Sequence, residues 1–148
     1  MKLRIMLMAA AVLFAALLSG CFRESHELKD GYYMAEAVDF DDRGWKEYVS
    51  IYVVSGKIVT AEYDAFNKSG LTKSWGIDYM RSMRMENGTY PNEYSRIYTV
   101  SLVNWQDPDE IDAVAGATRA HSNFIMLAKA AMQKSKSGDK QVALVELD

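Results

Sequence analysis

The chain has 148 residues, 49% of them hydrophobic and 25% charged, with a formal net charge of −3 and one cysteine. A net-acidic chain lacks the basic face that nucleic-acid binding needs, so that class of partner is set aside. One cysteine and two distant histidines, His26 and His121, provide neither a disulfide nor a zinc or haem ligand set.

The cations Lys2 and Arg4 precede an apolar run from Ile5 to Leu18. That is the pattern of an export signal, and it is too short for an ordinary membrane span. It ends in Leu18-Ser19-Gly20-Cys21, a lipobox: small residues admit the signal peptidase and the Cys21 thiol takes the lipid. The competing reading is a plain signal with an incidental cysteine, yet the single thiol stands where a lipobox requires it. Cleavage before Cys21 removes Lys2 and Arg4 and takes the formal charge from −3 to −5. The expected organisation is a signal over 1–20, a lipidated tether over 21–29 and one domain over 30–148, large enough for a real core. Nothing after Cys21 is long and apolar enough to span, so the bilayer is met through the acylated Cys21.

Asp30-Gly31 opens a strand that runs to Val38. Asp39 to Gly44 is a charged turn; Asp39, Asp41 and Asp42 lack the spaced ligands and closing glutamate of a calcium loop. Trp45 to Val54 alternates clearly, with Val49, Ile51 and Val53 on one side and Tyr48, Ser50 and Tyr52 on the other. Ser55-Gly56 is a hairpin turn, and Lys57 to Tyr63 returns as the partner strand. These strands predict an antiparallel meander with one face packed. Asp64 to Gly70 reads as a loop.

Thr72 to Met85 has helical spacing, with Trp75, Tyr79 and Met83 every four residues and Ile77 and Met80 beside them. Such a stripe either fills the core or packs over a cofactor ring. Arg81 and Arg84 read as solvated. Asn87-Gly88 stops the helix, and Pro91 is placed to start a second one. Tyr94, Ile97, Tyr98, Ser101, Leu102 and Trp105 form its apolar face, and Asp107-Pro108 ends it. A third helix follows from Arg119 to about Ser135, with Phe124, Leu127, Ala128, Ala131 and Met132 on one face. Gly138 closes it, and Val142 to Leu147 reads as a last strand. The class is α+β: a meander sheet flanked by about three helices.

Between the second and third helices lies Asp112-Ala113-Val114-Ala115-Gly116-Ala117-Thr118, small and nearly uncharged after its first residue. A hydroxyl beside Gly and Ala at a helix N-terminus is a favourable place for a phosphate, because free N–H groups and the positive dipole end point there. Between Asp112 and His121 the one side-chain hydroxyl is that of Thr118, with Ser122 just beyond. Arg119 either neutralises phosphate charge or faces solvent. His121, one turn on, either contacts such a group or lies on the surface. No serine is bracketed by a base and an orienting acid, so a hydrolytic triad has no support.

Asp112, Gly116, Ala117 and Thr118 match the Asp-x-x-(Ser/Thr)-Gly-Ala-Thr acceptor motif, and the chain resembles the FMN-binding domain family. That family includes the flavin-carrying subunits of sodium-pumping quinone reductase and Rnf complexes, and many small bacterial membrane-anchored lipoproteins. Further blocks carry the resemblance from Lys29 to Gly138. They are Asp30-Gly31-Tyr32-Tyr33, then Gly56-Lys57-Ile58 with Tyr63 to Gly70, then Asp107-Pro108-Asp109 and Ser122-Asn123-Phe124. The sequence departs from the family at Ala115 and Ala120, where hydroxyl residues are usual. The resemblance implies an FMN-binding-domain fold and FMN attached to Thr118 by a phosphodiester. It also implies a flavin transferase that draws on FAD, a membrane electron donor, and a site made of Asp112, Gly116, Ala117, Thr118, Arg119 and Ser122. Tyr63, Phe66, Trp75 and Trp105 are candidates to stack on the flavin, although aromatic residues mostly fill cores. On this reading the protein is a lipid-anchored extracytoplasmic electron carrier. The alternative is a lipoprotein ligand-binding module or surface antigen of the same fold without covalent flavin.

Overall fold

The computed structural model describes residues 27–147; the expected export signal, Cys21 and the start of the expected tether lie outside the described residues. Strands β1 (Gly31–Ala37), β2 (Lys46–Val54) and β3 (Lys57–Phe66) are followed by helices α1 (Ile77–Asn87), α2 (Pro91–Trp105) and α3 (Thr118–Ser137), then by β4 (Ala143–Val145). Short 3₁₀ turns occupy Lys73–Trp75 and Pro108–Glu110. The strands form one sheet in the order β3-β2-β1-β4. The α+β class and the three helices are as expected.

The β2 alternation places Val49, Ile51 and Val53 inward, all essentially inaccessible, beside Tyr33 and Ala35 of β1 and Ile58 and Tyr63 of β3. Helix α3 covers this face with Phe124, Leu127, Ala128 and Ala131, and α2 covers it with Tyr94, Tyr98 and Leu102. Burying side chains of this size supplies about 1.5–3 kcal/mol each, which is what holds a chain that has no disulfide. Ser55 (φ 52°) and Gly56 (φ 72°) both adopt the left-handed geometry that a two-residue hairpin with matching twist demands. Asp30 Oδ1 accepts from the Gly56 N–H at 3.0 Å, which ties the turn to the start of β1.

Three expectations need correction. The sheet is mixed, because β4 runs parallel to β1 while β1–β2 and β2–β3 are antiparallel. The cause lies in α3. Its C-terminus lies against the start of β1, where Lys29 N donates to Ser135 O and Lys29 Nζ to Ser137 O. The chain therefore re-enters the sheet at the same end as β1 and must run beside it in the same sense. Second, β3 continues through Phe66, so the loop is shorter than Asp64–Gly70. Asn67 Oδ1 organises it by accepting from Ser69 N, Ser69 Oγ and Leu71 N. Third, the helix expected over Thr72–Met85 is broken at Gly76 (φ −77°, ψ 85°) into a 3₁₀ turn and α1. The Trp75–Tyr79–Met83 stripe thus does not lie on one helix. No residue of α1 is buried, and Trp75 is 77% exposed.

The outer edge of β3 is closed by one side chain. Gln106, at the α2 C-terminus with φ 59°, accepts from Ile58 N and donates to Ile58 O, both at 2.8 Å. The amide imitates one pair of a missing strand and blunts an edge open to intermolecular pairing. Replacing Gln106 by Asn tolerates the backbone but is too short to reach both groups. The expected outcome is a loss of about 1–2 kcal/mol in urea unfolding, with a raised tendency to self-associate in light scattering.

Candidate functional site

The segment from Asp107 to Ala117 crosses from the bottom of α2 to the top of α3. Asp107 accepts from Asp109 N at 3.0 Å and starts the 3₁₀ turn, in which Pro108 is buried. Ile111 then enters the core. Tyr98 splints the next stretch: its hydroxyl receives Val114 N–H at 3.2 Å and donates to Ala117 O at 3.3 Å. Burial raises its pKa, and the Val114 N–H partly offsets that. His121 Nε2 lies 2.7 Å from Ile111 O, and its ring meets Tyr98 edge-on. His121 is therefore a fastener between α3 and the loop.

Gly116 (φ 79°) can be no other residue without rearrangement, since a Cβ there would sit 2.1 Å from Asn87 O. The close approach seats the motif on the end of α1. The chain then turns through Ala117 (φ −125°, ψ 31°) into α3, with Thr118 as the first helical residue. The first N–H bonded back is His121 to Ala117 O at 2.9 Å, and no side chain caps the donors ahead of it. Thr118 is exposed, and its hydroxyl has no hydrogen-bond partner among the described residues.

The other expected site residues divide. Gly116 and Ala117 adjoin Thr118, Ala117 being buried and Gly116 exposed. Ser122 is exposed one turn further on, on the same side of α3. Arg119 Nη1 lies 3.7 Å from Asp42 Oδ1, both groups being largely exposed. Asp112 is exposed on the loop and does not reach the helix N-terminus as a cap. Of the stacking candidates, Tyr63 is locked in the core against Tyr94, Tyr98 and Phe124, and Phe66 packs on Phe40 and Tyr48. Trp75 and Trp105 are exposed.

Sequence reasoning passed over a buried polar cluster behind α3. Glu47 is on the inward side of β2, paired with Ala65 and two residues from Val49. Its Oε2 accepts from Tyr63 Oη at 2.8 Å and from Asn123 Nδ2 at 3.0 Å, and Lys73 Nζ lies 3.8 Å from Oε1. Tyr63 Oη is also 3.0 Å from Ala120 O, so one hydroxyl proton serves both β2 and the first turn of α3. The signal was available: a carboxylate on the apolar phase of an alternating strand needs a partner.

These features define a class: a two-layer α+β domain, helices on one face of a sheet, that exposes a threonine hydroxyl at a helix N-terminus without a side-chain cap. No family model matches the chain. It is 33% identical over 134 residues to the 15 kDa lipoprotein of Treponema pallidum (strain Nichols), covering 90% of this chain and 94% of that protein. The chain belongs to the family of that lipoprotein. It is also similar to a crystal structure of a Clostridium perfringens protein (34% identity, TM-score 0.78), covering 82% of this chain and 99% of the other. A solution structure from Clostridium thermocellum shares 30% identity at a TM-score of 0.50, covering 78% and 95%. No helix among the described residues is long and apolar enough to cross a membrane.

The buried phenol makes a pH prediction. Burial raises the pKa of Tyr63 well above its ordinary value, and the negative charge of Glu47 adds to this. Burial also raises that of Tyr94. The unfolded chain ionises these groups near 10. Their contribution is therefore intact below about pH 10 and is lost as pH rises from there toward the folded-state values. Urea midpoints are expected to fall above about pH 10, and less steeply in Tyr63→Phe. Ordinary titration of every tyrosine with no loss of stability would contradict the buried assignment.

Proposed function

We propose that this protein is a lipid-anchored extracytoplasmic flavoprotein carrying FMN on Thr118. The anchor is Cys21, the residue that the lipobox marks, and membership in a lipoprotein family supports it. The observation that carries the flavin reading is the exposed Thr118 hydroxyl on the first turn of a 20-residue helix without a side-chain cap. A phosphodiester placed there meets free N–H groups and the positive end of the dipole, which favours an anion by about 0.3–1 kcal/mol. Exposed Ala113, Ala115 and Gly116 leave room for a modifying enzyme. In the attachment, Thr118 Oγ1 forms a bond to the FMN phosphorus of FAD, AMP departs, and the hydroxyl proton is released. The flavin then supplies the redox chemistry, and the protein sets its position. Its partners are the FAD-dependent transferase, a membrane electron donor and the bilayer.

A second reading keeps the anchor and the fold but not the covalent flavin: a ligand-binding lipoprotein or a surface antigen. Ala115 and Ala120 favour it, being alanines where the family it resembles usually has hydroxyls. Ala120 is moreover packed into the core, with its carbonyl held by Tyr63.

The two readings separate on a denaturing gel. The chain is exported from a host with an active flavin transferase, and the band is examined for flavin fluorescence. Fluorescence in wild type and Thr118→Ser, with loss in Thr118→Ala, is the expected result. A dark wild-type band, or a bright Thr118→Ala band, rejects covalent attachment at Thr118.

A further inference from the structure

The chain enters the domain at one fixed place. Leu28 packs against the core, and Ser135 holds Lys29, its carbonyl accepting from Lys29 N and its hydroxyl donating to Lys29 O. Ser135 is fully buried near the C-terminus of α3. Between Cys21 and Glu27 the chain spans at most about 20 Å, even fully extended. A bilayer that holds Cys21 is therefore confined to the neighbourhood of this entry. Thr118 is at the other end of α3, about 30 Å away along a 20-residue helix.

The surface around the entry has an unusual composition. Trp105 ends α2 and is 64% exposed, and the next residue, Gln106, grips Ile58 beside the β2–β3 turn. Tyr32, at the start of β1, is 71% exposed with its ring stacked on Tyr52. Such rings favour the boundary between water and hydrocarbon, having an apolar body and a polar tip. Lysines stand beside them. Lys29 Nζ donates to Ser137 O, Lys140 Nζ donates to Asp30 O, and Lys57 and Lys136 share a groove with Glu27 and Leu28. The carboxylates interspersed there are mostly engaged within the protein. Asp30 takes the Gly56 N–H, Asp139 takes Lys134, Asp107 takes the Asp109 N–H and Asp109 takes Lys129.

We propose that this end of the domain rests on the anionic headgroups of the bilayer that carries the anchor, with Trp105 and Tyr32 at the edge of the acyl region and the lysines on the phosphates. Exposed aromatic rings and lysine ammonium groups on long apolar stems are what that boundary accepts, and each lysine near an anionic surface adds to the attraction. The short reach from Cys21 holds this end, and no other, close enough to profit. The proposal rests on the lipid-anchor half of the reading above and not on the flavin. Seated in this way, α3 points its N-terminus away from the membrane and holds Thr118 about 30 Å from the headgroups. A partner acting at Thr118 then works at the far end of the domain.

Cys21 is the one cysteine, so the mature chain couples at a single point to a maleimide-bearing lipid without any acylation. The vesicles are phosphatidylcholine and phosphatidylglycerol, with a lipid that carries a nitroxide on its headgroup and quenches tryptophan on contact. Trp75 is the internal control, being 77% exposed at the end of the sheet opposite the β2–β3 turn. Quenching is expected in wild type and in Trp75→Phe, and is expected to be lost in Trp105→Phe. Lys57→Gln is expected to lower the ratio of docked to undocked domain about fivefold. Urea midpoints of the uncoupled variants check that each folds. An unquenched wild type, quenching that follows Trp75, or undiminished quenching in Trp105→Phe or Lys57→Gln overturns the proposal. The mass of the exported chain reports separately on the anchor. A Cys21 without acyl groups would remove that reading, while the coupled chain still decides whether this end seats on a bilayer.

Discussion

One shared proton does most to set the geometry at the top of the molecule. The Tyr63 hydroxyl sits between the Glu47 carboxylate and the Ala120 carbonyl and joins β3, β2 and the opening turn of α3. Asn123 repeats the link one turn along the helix. Both side chains are nearly sealed from water, so breaking either bond strands a charge or a dipole in low dielectric. A helix end fixed this firmly lets the residue before Ala120 and the one before that point outward without dragging the backbone with them.

The loop that delivers the chain to this point is restrained from the opposite side. Tyr98 bridges Val114 and Ala117, His121 holds Ile111, and Gly116 presses on the end of α1. These contacts use side chains from α2 and α3 and backbone from α1, so all three helices converge on the segment. The convergence gives a physical reason for small residues there that does not depend on any ligand. It also leaves Thr118, Ala115 and Gly116 facing solvent. Structural demand and accessibility coincide in the same few residues.

Much of the scaffold was legible in the residues. The period-two run Val49-Ile51-Val53, the Ser55-Gly56 turn, Pro91 at a helix start and Gly138 at a helix end all act through their immediate neighbours, so local rules suffice. The direction of β4 was not legible, because it depends on where a 20-residue helix deposits the chain. The break at Gly76 was missed because the four-residue spacing on either side of it looks continuous. At the site, Thr118 stood out as the one hydroxyl in its segment, while Glu47 and Asn123 did not. Glu47 and Asn123 lie 76 positions apart, and only the packing of α3 on β2 makes them one feature. The roles of His121 and Tyr98 as fasteners were hidden for the same reason.

The proposed flavin attachment requires the clamped helix end to offer Thr118, and no neighbour, as its point. Tandem mass spectrometry of the tryptic peptide covering residues 97–119, from protein exported alongside an active flavin transferase, addresses this directly. The predicted result is one FMN phosphodiester located on Thr118. An unmodified peptide, or flavin found instead on the peptide that contains Ser122, would contradict it.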